Sequence, residues 1–205
     1  MSKEPVKWII WLKPLLPLWG DIKYLILGSF PGIETLKVNI KNREQLAKEW
    51  IKDFDKKIRQ KWEYREKPIY YCSLKNCFWK IMKESFPKSK SLIDNIIEKI
   101  KNKEWDRVAE LQQEFCDTNM VGLWDKVSSC VWASKTSSNT IRKVWEYNDI
   151  FAFLIKYSDC KIISNWSFGE YWTMDYIKCH IFPLNSTSWR SWNRENTINE
   201  WKAFF

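Results

Sequence analysis

The chain has 205 residues, enough for one domain with a sizeable core, and its 45% hydrophobic and 29% charged content is that of a folded globular protein. A net charge of +9 and a pI near 9.2 point toward a polyanionic partner. Fifteen tryptophans and 17% aromatics are more than one core needs, which leaves flat rings for stacking and interfaces.

The opening run WIIWLKPLLPLWG has the apolar character of a leader. Lys13, Pro14 and Pro17 interrupt it, no small-residue cleavage site follows, and no later run is long enough to span a bilayer. The expected setting is the cytoplasm, with no membrane association. IKYLILGSFPG, residues 22–32, is a short apolar run that breaks at Gly28, which reads as a buried parallel strand feeding a loop.

In the polar segment that follows, Leu46, Trp50, Phe54, Ile58 and Trp62 recur every fourth position. This predicts one stripe of an amphipathic helix within residues 34–67, with basic residues on its other faces.

YYCSLKNCFWK, residues 70–80, crowds four aromatics and two cysteines around Asn76, with a helix expected from there to Ser85. SLIDNIIEKIKN and EWDRVAELQQEF predict two more amphipathic helices. NMVGLWDKVSSC returns to strand character and ends at Ser128 and Ser129. NDIFAFLIKY reads as a helix capped by Asn148, with Asp149 near its positive end. CKIIS is a further buried strand, SFGEYWTMDY a helix and KCHIFPL a last strand. STSWRSW is a loop, and ENTINEWKAFF closes the chain as a helix.

Short apolar strands alternating with helices predict a three-layer α/β/α sandwich around a mostly parallel sheet. In such sheets ligands sit outside the carboxyl ends of the strands, where GSFPG, SSC, SNW and LNSTSW would gather.

The six cysteines are scattered without a C-x-x-C pair, so buried thiols fit them better than a disulfide scaffold. His180 is the only histidine and adjoins Cys179, and neighbouring strand residues point to opposite faces. No metal site is expected. With five glycines and no P-loop, a nucleotide-binding α/β enzyme is also disfavoured.

Four motifs in order carry a resemblance. YLILGSFPG, YYCSLKNCFWK, GLWDKVSSC and LNSTSW resemble the motifs of the uracil-DNA glycosylase superfamily, nearest the branch of hypoxanthine (deoxyinosine) and mismatch-specific uracil glycosylases. YNDI is similar to that branch's P-N-D-F helix start.

The resemblance implies a monofunctional DNA glycosylase that flips a deaminated or modified base out of DNA and hydrolyses its N-glycosidic bond. It would need no cofactor, no obligate protein partner and no second subunit. By resemblance Tyr71 stacks on the extruded base and Asn76 orients the attacking water. Gly28, Ser29, Phe30 and Pro31 form the pocket floor, and Ser129 lies at its rim. Ser186, Thr187, Ser188, Trp189 and Arg190 grip the DNA backbone, with Trp189 as a possible wedge.

Plainer roles stand beside these. Both tyrosines can be core, Asn76 can cap its helix, the glycines can serve an ordinary turn, and Trp189 can pack on its own loop. Two motif positions depart from the branch: His-Pro is Ser73-Leu74 here, and F-N-G is Ser164-Asn165-Trp166. The basic segment 33–69 also has no counterpart in the branch, and it is expected to grip DNA or reshape the pocket. A catalytically silent DNA-binding module of the same fold is the competing reading.

Overall fold

The computed structural model describes residues 6–9, 12–28, 35, 38–39, 65–132, 141–164, 181–185, 187 and 194–205, with only the backbone described in the strands Val6–Ile9, Val127–Trp132 and Ile141–Tyr147. The chain builds β1 (Val6–Ile9), β2 (Tyr24–Gly28), α1 (Phe78–Ser85), α2 (Lys90–Asn102) and α3 (Trp105–Asn119). It continues through β3 (Val121–Asp125), β4 (Val127–Trp132), β5 (Ile141–Tyr147), α4 (Ile150–Lys156), β6 (Lys161–Ser164), β7 (Ile181–Pro183) and α5 (Arg194–Phe204).

β3, β2, β6 and β7 form a parallel sheet in that order. Alternation along β2 explains its unbroken apolar run. Tyr24 and Ile26 face a core that includes Phe78, Ile93, Val108 and Trp201 from α1, α2, α3 and α5. Leu25 and Leu27 face Ile150 and Leu154 of α4. Both faces are covered, giving the three-layer α/β/α arrangement that the strand–helix alternation predicts.

A second sheet, β1-β4-β5, is antiparallel. The apolar N-terminus supplies one of its strands, with Trp8 opposite Cys130 and Ile9 opposite Ser129. The sheet corrects one expectation: the SSC segment does not end a parallel strand. β3 stops at Asp125, and Ser128 and Ser129 lie inside β4, which runs on to Trp132. Ser129 is therefore a ladder residue between β1 and β5, not the end of a strand at the rim of the parallel sheet.

The predicted helices appear with small shifts. α1 starts at Phe78, two residues beyond Asn76. The cap of α4 is Asp149, whose carboxylate accepts from the Ala152 N–H at 2.8 Å. Asn148 instead donates its amide to the Asp125 carbonyl at 2.6 Å. The expected helix of residues 167–176 lies outside the described residues, as do Leu46, Trp50, Phe54, Ile58 and Trp62.

The flanks of that basic segment are nevertheless part of the framework. Thr35, Val38 and Asn39 are helical and buried. The Arg65 N–H donates to the Asn39 carbonyl at 2.8 Å, and its guanidinium donates to the Val38 carbonyl and pairs with Asp106. Asn39 and Arg65, which flank residues 40–64 in the sequence, are thus side by side. Among the described residues no helix is long and apolar enough to cross a membrane.

Candidate active site

β2 and β3 run in register, so Gly28 and Asp125 end their strands side by side. The connection from β2 to β3 packs α1, α2 and α3 on one face, whereas the path from β3 to β6 packs α4 on the other. Crossovers diverging in this way open a crevice at the carboxyl ends of the strands.

Gly28 is required there by space. A Cβ at this position would clash with Oδ1 of the Asp125 carboxylate and lie 3.2 Å from the Tyr71 hydroxyl. A carboxyl, a phenol and bare backbone therefore share one spot. Ser29, Phe30 and Pro31, which follow, lie outside the described residues.

Tyr71 is held over this spot by an unusual backbone. Its φ is +49°, a left-handed conformation that costs a residue with a Cβ roughly 1 kcal/mol or more. Buried amides hold the residues before it. Gln112 of α3 accepts from the Tyr70 N–H at 2.9 Å and donates to the Tyr70 carbonyl at 2.7 Å. Asn39 accepts from the Ile69 N–H and donates to the Ile69 carbonyl, both at 2.7 Å. Two side-chain amides thus bond this stretch through its N–H and carbonyl groups as a neighbouring strand would.

The Trp79 indole donates to the Tyr71 carbonyl at 3.1 Å. Tyr70 itself is core: it is buried, and its hydroxyl donates to the Lys13 carbonyl at 2.7 Å.

The Tyr71 ring lies flat on Phe78, with centroids 3.7 Å apart and planes 9° from parallel. Phe78 is wholly buried, so one Tyr71 face is taken and only the other could receive a base. The ring is half-buried, yet its hydroxyl is fully enclosed and without a hydrogen-bond partner among the described residues.

Asp125 was missed in reading the sequence. The residue is 6% exposed, and its Oδ2 also lacks a partner among the described residues. Burial raises its pKa to about 7. Burial and the nearby Asp125 charge together push the Tyr71 phenol far above its ordinary value. Lys126, next along the chain, is buried as well, and desolvation lowers its amine to about 8. The available signal was the one acid that ends the apolar strand of GLWDK.

Asn76 precedes α1, and its carbonyl oxygen accepts from the Phe78 N–H at 2.9 Å. The side chain ties down the start of the helix, and its amide N–H groups have no partner among the described residues.

The LNSTSW loop meets this segment, because the Cys77 N–H donates to the Thr187 carbonyl at 3.1 Å. α5 fixes the loop in turn. Glu200 accepts from the Asn185 N–H at 2.9 Å, and the Trp201 indole donates to the Asn185 carbonyl at 3.0 Å. Thr187 is a correction: it is 0% exposed and its hydroxyl is enclosed, so in this conformation the side chain is not offered to a phosphate. Ser186, Ser188, Trp189 and Arg190 lie outside the described residues. Among the described residues no three His, Cys, Asp or Glu side chains gather as metal ligands.

No protein-family model matches the chain, and no curated protein matches it significantly. Among solved structures it is similar to the solution NMR structure of a candidate uracil DNA glycosylase from Methanosarcina acetivorans. The identity is 19% and the TM-score 0.54, over 99% of this chain and 96% of that one. At this identity the likeness establishes a shared fold.

Proposed function

We propose that the protein is a monofunctional DNA glycosylase that hydrolyses the bond between a deaminated or otherwise modified base and deoxyribose, leaving an abasic site. The observation that carries this reading is Tyr71. It is held in a left-handed backbone over Gly28 and a buried carboxyl, at the crevice where an open α/β sheet binds its ligands. The motif resemblance and the likeness in fold to a candidate uracil DNA glycosylase point the same way.

A base swung out of its helix has lost its stacking neighbours. The free face of Tyr71 would restore roughly 1–3 kcal/mol of that. Phe78 behind it keeps the ring from tilting away. Asn76 would hold a water on the sugar side through its free lone pair and N–H groups; as an amide it orients the water and does not become an ionised base. The basic excess would contribute electrostatic attraction to the DNA backbone, with Ser186, Ser188, Trp189 and Arg190 as candidates for direct contact.

A second reading has one observation in its favour. The Asn76 carbonyl already serves the start of α1, which suits a DNA-binding module that keeps the fold without the reaction. Mass spectrometry of bases freed from oligonucleotides carrying uracil, hypoxanthine, xanthine or bulky cytosine derivatives separates the two. The glycosylase releases at least one of these bases, and the silent module binds DNA and releases none.

A further inference from the structure

Asp125 has no part in the reaction as described so far. It is 6% exposed, and its Oδ2 is unpartnered among the described residues. It lies across Gly28, whose missing Cβ is the only reason it fits. The equally enclosed and unpartnered Tyr71 hydroxyl approaches the same point. A purely structural acid would be expected to carry a cap, an ion pair or a backbone N–H on that oxygen.

Two oxygen groups without hydrogen-bond partners among the described residues, at the edge of the proposed stacking ring, suit a substrate that brings its own polar atoms when the site opens to it. A departing base does so. It leaves with the electron pair of the C1′–N bond and accepts a proton on a ring nitrogen or exocyclic oxygen.

We infer that Asp125 is the proton donor to the leaving base, acting from beneath the hydroxyl edge of Tyr71. The inference rests on the glycosylase reading. As the C1′–N bond breaks, its electron pair goes to the base, which takes the carboxyl proton of Asp125. Water adds to C1′, and the proton it sheds returns to the Asp125 carboxylate directly or through solvent. Atoms and charge balance, and no co-reactant is required.

Burial supports the assignment by keeping a large share of the carboxyl protonated near neutral pH. The phenols that feel its charge, Tyr70 and Tyr71, are themselves held neutral, which is consistent with that state. A general acid acts most on a base with a basic ring nitrogen to receive the proton, so the effect is predicted to be larger on hypoxanthine, through its N7, than on uracil.

Single-turnover base release tests this from about pH 5 to about pH 9, for the wild type and Asp125→Asn. The expected wild-type rate falls as pH rises through about 7. Asp125→Asn keeps the shape and a hydrogen-bond donor but has no transferable proton. It should lose about 10²-fold or more at low pH, show a flat profile and bind DNA as before.

A wild-type rate that is flat or rises with pH overturns the inference without any variant. So does a variant that matches the wild type in rate and profile. No release by the wild type from any of these oligonucleotides overturns the glycosylase reading and this inference with it.

Discussion

Asp125 couples the site to stability in a direction opposite to a surface carboxylate. Its folded pKa is raised to about 7 from an ordinary 3.8, so between those values the folded state binds more protons than the unfolded chain. Stability from this group is therefore full below about pH 4 and is lost as pH rises through about 7. Thermal melts of Asp125→Asn should show a gain over the wild type at pH 8 that vanishes near pH 4; a gain independent of pH would contradict the buried acid. Gln112 is tested similarly. Gln112→Leu leaves the N–H and carbonyl of Tyr70 buried without partners and is expected to cost about 2–4 kcal/mol in chemical denaturation. A cost below about 0.5 kcal/mol would mean that the amide does not hold the segment.

At the scale of elements, the site depends on α5 although that helix contributes no proposed contact to the base. Trp201 is fully buried and holds the Asn185 carbonyl, and through this loop it steadies the Thr187–Cys77 junction beside Asn76. Trp201→Phe keeps most of the volume and removes the indole N–H. It should cost about 1–2 kcal/mol and lower base release more than DNA binding. Equal losses in both would place the loop outside the reaction.

The elements also show what the sequence could tell. The parallel strands were legible because a strand buried on both faces is a solid apolar run, as Leu25, Ile26 and Leu27 are. The amphipathic helices were legible because Ile93, Ile96 and Ile100 recur at helical spacing. The antiparallel sheet was not, since its pairing of β1 with β4 joins residues more than a hundred positions apart and leaves no local period. Tyr71 could be picked out by motif. Its support from Gln112 and Asn39 could not, because a buried amide looks like any polar helix residue until its backbone partner is known. Asp125 was hidden for a related reason, as nothing in GLWDK states that the acid is enclosed.

For the molecule as a whole, residues 40–64 are a basic stretch of the sequence that lies outside the described residues. They carry eight Lys or Arg against five Asp or Glu, and the chain ends that flank them are hydrogen-bonded to each other. A deletion reaching back to residue 34 would remove Asn39 and strip the partners of Ile69, so it would confuse folding with binding. Replacing only 40–64 by a short Gly-Ser linker should leave the melting temperature within a few degrees of the wild type. It should also weaken DNA binding and flatten its dependence on salt, because fewer phosphates would be neutralised. Unchanged affinity and salt slope would remove this segment from the DNA interface.

The central claim is hydrolysis at the crevice where Gly28, Asp125 and Tyr71 meet, and abasic-site formation in a modified oligonucleotide measures it most directly. The account predicts that the wild type converts at least one such substrate to free base and an abasic strand. It further predicts that Asn76→Ala binds the same DNA but forms product at least about 10²-fold more slowly. DNA that the wild type binds but leaves intact, across the whole set of modified bases, would contradict it.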